Sequence, residues 1–400
     1  MARLLRPYPA WVRRPSVIFI FTVTLTGILN NNLVAPAIPD ILAEFGEPAR
    51  RSGLLVSLGS VAGIVVAPTV GLVADRVGRR PVLTACLIIF GAFGFGAALA
   101  PSFELLLAAR FFQGFGSAGL INLAVALIGD YWSGTERTRI VGHNSAVLTV
   151  GLALLPLAAG FTTELFGWRT TFMFYTVAFG TAAWAWMTLD RRKPPRVPGL
   201  TEQLRGAAAA VRRPVPAATI ATTFLVFMTI FGGVLTVMPV HLADRFALNA
   251  AERGFYLALP AFTSSLVAFN LARIRARWAP GVIVTFAAGL WVVAFLALGS
   301  AASLGLVATG ALIFGLGEGS LVPTLQDVNV ASAPDSQRGA VVAIWVGLAR
   351  LGQTVGPLLG GLGIALVGTG PALTLAAGLA LAVAAVGWFG PFRTLGRQPG

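Results

Sequence analysis

Twelve stretches of about twenty mostly apolar residues follow one another along this chain, at 16–38, 53–71, 81–101, 104–130, 140–163, 170–189, 217–240, 254–272, 281–300, 304–328, 340–366 and 371–391. About twenty apolar residues in a helix is the length that crosses the hydrocarbon of a bilayer. Strands of a membrane barrel would alternate in polarity and these runs do not, so helices are the spanning element. Composition agrees. The chain is 56% hydrophobic and 11% charged, less than half the roughly 25% of a soluble domain. Many of its 47 glycines and 24 prolines lie inside the apolar runs, where they suit close helix packing and kinks in lipid. The expected fold is an all-α membrane protein.

The net charge is +14, which on a soluble protein would suggest nucleic acid. The placement of the charge gives it another meaning. Of the 29 Lys and Arg residues, 22 fall in the N-terminus, the even-numbered connections and the C-terminal tail, and 5 in the odd-numbered connections. The last two, Arg110 and Arg350, lie inside apolar runs. That asymmetry follows the positive-inside rule with both termini cytoplasmic. A bacterial-type inner (plasma) membrane is the expected location, with lipid and not nucleic acid as the partner. Cys86 is the one cysteine, which excludes an internal disulfide and a cysteine metal cluster. The first run is too long for a signal-peptide core and has no clear small-residue cleavage site, so it reads as the first span.

The longest polar stretch, DRRKPPRVPGLTEQLRGAAAAVRRPVP, lies between spans six and seven, with a short interfacial helix expected around Thr201–Val211. It divides the chain into an N-terminal six-helix bundle at 1–189, a basic cytoplasmic linker at 190–216 and a C-terminal six-helix bundle at 217–400. The halves repeat. An offset of 201 residues superposes Gly114 on Gly315, Gly116 on Gly317, Leu120 on Leu321, Arg137 on Arg338, Pro156 on Pro357 and Gly160 on Gly361. Duplicated six-span units are typical of secondary transporters, with the ligand site between the units near mid-membrane.

The stretch GLVADRVGRRPVL connects spans two and three and holds Gly71, Asp75, Arg76, Gly78, Arg79 and Arg80. This pattern resembles the signature of the major facilitator superfamily, and the resemblance extends over nearly the whole chain. Arg110, Gln113 and Gly114 resemble the superfamily's span-four motif. Gly142, Gly151, Pro156 and Gly160 resemble the span-five motif of its drug:proton antiporters, with Leu155 and Ala159 where glycines are expected. Span eleven holds the fuller copy, Gly352, Gly356, Pro357, Gly360 and Gly361. Pro36 and Pro39 resemble the exporters' span-one pattern. The resemblance implies twelve transmembrane helices in two pseudo-symmetric six-helix bundles. It further implies a latch between the halves at Asp75 and its arginines, and a part for Arg110 in proton coupling. On physical grounds Gly71 would let two helices approach, and Asp75 would accept from free N–H groups at the start of span eleven near Ala340. The matching place in the second half has Ala276, so the latch is expected on one side alone.

Ionisable groups inside a span are expensive and suggest function. Glu318 is the acid placed near mid-membrane, and Arg350 of the antiparallel next span falls at similar depth by helical rise. Two readings stand: Glu318 is the proton-coupling site with Arg350 tuning it or binding an anionic group, or the two form a structural ion pair. Arg110 is placed near the outer third of span four, with lipid snorkelling or pairing to Glu104 as its structural alternatives. Asp130 and Asp327, at helix ends, are expected to pair with Arg137, Arg139 or Arg338. Asn30, Asn31, Asn32, Gln113, Asn122, Asn144 and Gln353 are candidate substrate-cavity residues, though such side chains also join helices. Trp184, Trp186, Trp278 and Trp291 read as interfacial belt residues. The GFGSAG run at Gly114–Gly119 lies inside an apolar helix with no preceding strand, so it is not a dinucleotide fingerprint. No motif points to a cofactor, a metal or an enzyme. The expected activity is secondary active transport by a monomer using alternating access: proton-coupled export of a small amphipathic compound, with protons as coupling ion. Proton-coupled uptake of a small organic anion is the alternative, and a non-transporting sensor or assembly factor a second one.

Overall fold

The computed structural model describes residues 14–190, 213–332 and 338–394. The basic linker, with its expected interfacial helix, lies outside the described residues. Every regular element described is helical. We number the helices α1 (Val17–Glu44), α2 (Ala49–Val77), α3 (Arg79–Ala98), α4 (Phe103–Tyr131) and α5 (Gly134–Phe166). Next come α6, which runs through Trp168–Phe172, Met173–Thr176 and Val177–Thr188, and α7 (Pro214–Phe246). The remaining helices are α8 (Ala250–Phe269 with Leu271–Arg277), α9 (Pro280–Gly299), α10 (Leu304–Ser332), α11 (Arg338–Val367) and α12 (Thr369–Phe389).

Breaks in these helices trace to named residues. α1 passes through a 3-10 turn at Ala35–Ala37, where Pro36 and Pro39 interrupt the backbone ladder. α7 widens into a π-helix over Ile230–Val237 around Gly232 and Gly233. α8 bends by 57° at Asn270. Gly78 sits at φ 110° between α2 and α3, a left-handed conformation that favours glycine, and so makes the sharp turn the signature needs.

Two hydrophobic clusters form. One draws on α1 to α6 and centres on residues such as Phe19, Phe90, Phe103 and Phe172. The other draws on α7 to α12 and centres on Trp291, Phe295 and Phe314. The duplication seen in sequence is also one of contacts. A Cβ added at Gly114 would meet α2 at Gly59 and Ala62, and one at Gly315 would meet α8 at Pro260 and Thr263. Gly116 presses on Cys86 and Phe90 of α3, and Gly317 on Ala287 and Trp291 of α9. Gly160 presses on Ala250 and Gly254 of α8, and Gly361 on Arg50 of α2. Residues 201 apart thus do the same packing task in each half. Trp291 is fully buried, stacked on Phe314 at 4.6 Å with its Nε1–H donated to the Phe314 carbonyl, so it is a core residue and not a belt residue.

Candidate functional site

Deep in the first half, Arg110 of α4 is fully buried and every nitrogen of its guanidinium donates. Nε reaches the Leu55 carbonyl at 3.2 Å, and Nη2 the Asn31 Oδ1 at 2.6 Å. Nη1 reaches Gln113 Oε1 at 2.6 Å, Asn30 Oδ1 at 3.2 Å and the Tyr175 hydroxyl at 3.5 Å. The amides of Asn30 and Asn31 in turn donate to the Gly59 carbonyl and the Ser60 hydroxyl, and Tyr175 donates to the Asn30 carbonyl at 2.8 Å. One cation therefore ties α1, α2, α4 and α6 together through neutral oxygens. Two expectations change here. Arg110 lies in the first third of α4, the outer end, as expected, but it does not snorkel to lipid and does not meet Glu104, which approaches Arg51 at 3.5 Å. Asn30, Asn31 and Gln113 are held around this guanidinium instead of lining open space. Asn32 bonds back within its own helix to the Ile28 carbonyl, and Asn144 accepts from Thr24, joining α5 to α1. Gly59 and Tyr175 were not legible as part of the site: a Cβ on Gly59 would strike Arg110, yet nothing local marks that glycine among 47.

The second half presents charge differently. Glu318 of α10 is half-buried and lies 200° around the helix from exposed Leu316. Gly315 and Gly319 on flanking turns press on α8, and Gly317 presses on α9. Glu318 therefore points away from lipid, and among the described residues it has no hydrogen bond or ion pair. Arg350 of α11 donates from Nη1 to Gln353 Oε1 at 3.1 Å, and its Cδ lies against Gly63 of α2. The structural ion pair between Glu318 and Arg350, one of the two readings of their depth, is not formed. Asn122, half-buried on α4, makes no side-chain hydrogen bond among the described residues.

Two interfaces hold the halves together. α2 lies along α11, with Ser57 donating to the Thr354 carbonyl at 2.6 Å and with Gly53 against Pro357, Gly361 against Arg50 and Gly347 against Pro68. α5 meets α8 at one end, where Gly160 and Pro156 touch Ala250 and Gly254. At that same end Arg253 of α8, itself buried, donates to the Pro36 carbonyl at 2.9 Å and pairs with Asp40 of α1. Glu164 of α5 accepts the Ala250 N–H at the start of α8 at 3.2 Å, a favourable place for an anion. Nearer the other end, the end of the basic connections, Gly142 has no atom within 4 Å of where a Cβ would stand. The halves are clamped at the end remote from the basic connections.

The sequence pattern of the Major Facilitator Superfamily matches residues 20–333. The chain belongs to that superfamily. Its relatives include the class B tetracycline resistance protein of Escherichia coli, 28% identical over 355 residues, with 84% of this chain and 85% of that one covered. They also include the bacillibactin exporter of Bacillus subtilis, 24% identical over 365 residues, covering 86% and 88%. The crystal structure of the human organic anion transporter MFSD10 has the same fold, with a TM-score of 0.71 at 22% identity, covering 93% of this chain and 98% of that one. This superfamily member is a multi-pass membrane transporter with efflux-type relatives, and it is not an enzyme.

The signature that opens α3 takes a different form here from the latch expected of it. Asp75 accepts from Arg79 at 2.6 Å, and Arg79 also bonds Asp130 at 2.9 Å and the Gly71 carbonyl at 3.4 Å. All four residues belong to the first half, and among the described residues Asp75 meets nothing on α11. Gly71 serves no close approach, since a Cβ there would meet nothing within 4 Å. Arg80 stacks on Trp186 at 4.0 Å, and Arg76 is exposed. Asp130 pairs with Arg79 and not with Arg137 or Arg139. In the second half Asp327 pairs with Arg275, so the superfamily's basic connection is anchored to the end of α10 there as it is to the end of α4 here. The span-five and span-eleven motifs do pack. Gly151 fits against Leu25 and Ile28 of α1, while Gly352, Gly356 and Gly360 fit against Phe224, Met228 and Gly232 of α7.

Proposed function

We propose that this transporter exports a small amphipathic compound in exchange for protons, working by alternating access as a monomer in a bacterial-type inner membrane. The basic end is then cytoplasmic, with both termini there, as the positive-inside bias supports. The units at 1–189 and 217–400 are the moving bundles, joined by the linker at 190–216. On this reading the clamp at Arg253, Glu164 and Gly160 closes the outer face, and the site opens toward the cytoplasm. One observation carries the proposal: Glu318, a carboxyl in the interior of the spans with no partner among the described residues. An ionisable group inside a span with no partner is by default functional, and a carboxyl can take up and release the coupling proton. Arg110, with every donor occupied, acts as the fixed centre of the first bundle, and Arg350 is the charge free to respond. The bacillibactin exporter among the relatives supports the export direction.

The test is flux in proteoliposomes with imposed pH gradients of either sign. Export is expected to be uphill when protons flow in the opposite direction. Glu318→Gln is expected to abolish uphill movement while leaving substrate exchange at equal concentrations. Uphill movement that survives Glu318→Gln removes Glu318 from coupling. Movement along with protons makes the protein an uptake system, and no flux in any gradient overturns the transport reading itself.

A further inference from the structure

The two arginines inside the spans differ in what remains for a ligand. Arg110 has none of its nitrogens unused and is fully buried. Arg350 has one hydrogen bond, from Nη1 to Gln353, and no carboxylate within ion-pair distance among the described residues. Its Nε and Nη2 make no hydrogen bond, and neither is among the buried polar atoms sealed from solvent.

Those two nitrogens form one edge of the guanidinium. Nη2 lies on the same side as the Nε–H, so together they present the parallel pair of donors that a carboxylate accepts in bidentate fashion. Gln353 occupies the opposite corner and fixes the plane. Gly63 of α2 keeps the edge clear: a Cβ there would stand 2.9 Å from Arg350 Cδ and 3.2 Å from Nε. The edge thus lies where α11 meets the other half. An arginine in a low-dielectric interior with no counter-ion is costly, and Glu318 does not supply one. Apolar surface is available where α11 meets α7. Trp345, Phe227 and Phe231 form a half-buried aromatic row, with neighbouring rings 6.5 Å and 6.2 Å apart.

We propose that the cargo is an amphipathic organic anion, whose carboxylate or equivalent acid group binds the Nε–Nη2 edge of Arg350. This rests on the transport reading above for its purpose, but binding can be measured without transport. Full-length purified protein would be titrated with three probes sharing one ring system: naphthoate, naphthamide and naphthylamine. Naphthoate is expected to bind about tenfold or more tighter than naphthamide, the scale of a hydrogen-bonded charge pair. Naphthylamine should be weakest. Arg350→Gln should erase the naphthoate advantage, and Arg350→Lys should keep part of it, since the charge remains and the fork is lost. Equal affinity for acid and amide, preference for the amine, or no saturable naphthoate binding would overturn the proposal. So would an advantage that survives in Arg350→Gln. The ranking in the unaltered protein decides the matter even if Arg350→Gln does not fold. Gradient-driven flux of naphthylamine without naphthoate binding would sink this inference and leave the transport reading intact. Naphthoate binding with no flux of any compound would do the reverse.

Discussion

Arg253 of α8 is ion-paired with Asp40 of α1, and the pair joins one half of the transporter to the other. The same guanidinium donates to the Pro36 and Leu248 carbonyls, so all three of its nitrogens are engaged at the clamp. For the far end to open, the bonds to Pro36 and Asp40 must break together, while the one to Leu248 lies within the second half. Arg253→Gln keeps a donor but removes the charge, and is expected to shift the population toward a far-open form by about tenfold, or ~1.4 kcal/mol. Cys86 is the native cysteine and is buried, so Cys86→Ser gives a clean background. Ser52, fully buried with an unpartnered hydroxyl at the start of α2, accepts a reporter cysteine. Its maleimide labelling should rise about tenfold in Arg253→Gln. An unchanged rate would mean that the clamp does not set this equilibrium.

Gly160 and Gly254 bring α5 and α8 into backbone contact, and a side chain on either would enter the other's helix. Gly160→Val should therefore prevent closure of the far end without touching the interior of either bundle. The expected protein is folded and monodisperse, labels fast at the Ser52 reporter, and transports at less than about a tenth of the normal rate, since interiors do not absorb such overpacking. Normal flux in Gly160→Val would show that α5 and α8 need not meet in the cycle.

The spans were legible because membrane helices must satisfy their own backbone in an apolar run, and that leaves an unbroken record in sequence. The duplication was legible for a related reason: glycines 201 apart let the corresponding neighbouring helix approach closely in both halves. Glu318 and Arg350 stand out as charges among apolar residues, but depth along two helices says nothing of azimuth, so a structural ion pair stays one of two readings in sequence, and it is not formed. The Arg110 cradle shows another limit. Asn30, Asn31 and Gln113 looked like cavity residues because an amide in a span serves a ligand or a neighbour equally well by composition. Only the fold shows that all three turn to one guanidinium. The Arg253–Asp40 clamp was invisible, since both residues lie near span ends, where charge is ordinary.

The paired acids at the basic end should differ in worth. Arg79 bridges Asp75 and Asp130, with side-chain exposures of 13%, 18% and 22%, whereas Asp327 beside Arg275 is 47% exposed. Exposed pairs contribute little, about 0–1 kcal/mol, and networks more. Arg79→Gln should lower the midpoint of thermal unfolding measurably, while Asp327→Asn should move it within error. A larger loss from Asp327→Asn would indicate that the recess around Arg275, Trp278 and Thr324 depends on that carboxylate for its shape.

Arg110 should prove to be a structural centre whose loss is felt first in stability. Removing its guanidinium strands oxygens of Asn30, Asn31 and Gln113 in a sealed interior, and each unpaired group costs roughly 1–3 kcal/mol, reduced because helices separated within a membrane find other partners. Arg110→Gln is expected to destabilise by on the order of 2 kcal/mol. Arg110→Lys keeps the charge but reaches fewer of the acceptors, and should fall between. Naphthoate binding at Arg350, in the other half, should persist in whatever fraction of Arg110→Lys remains folded. The measurement is reversible unfolding in mixed micelles beside the naphthoate titration. If Arg110→Lys is fully stable yet cannot exchange protons for cargo, then Arg110 takes part in coupling directly, and its five neutral acceptors hold it ready for that work instead of merely joining four helices.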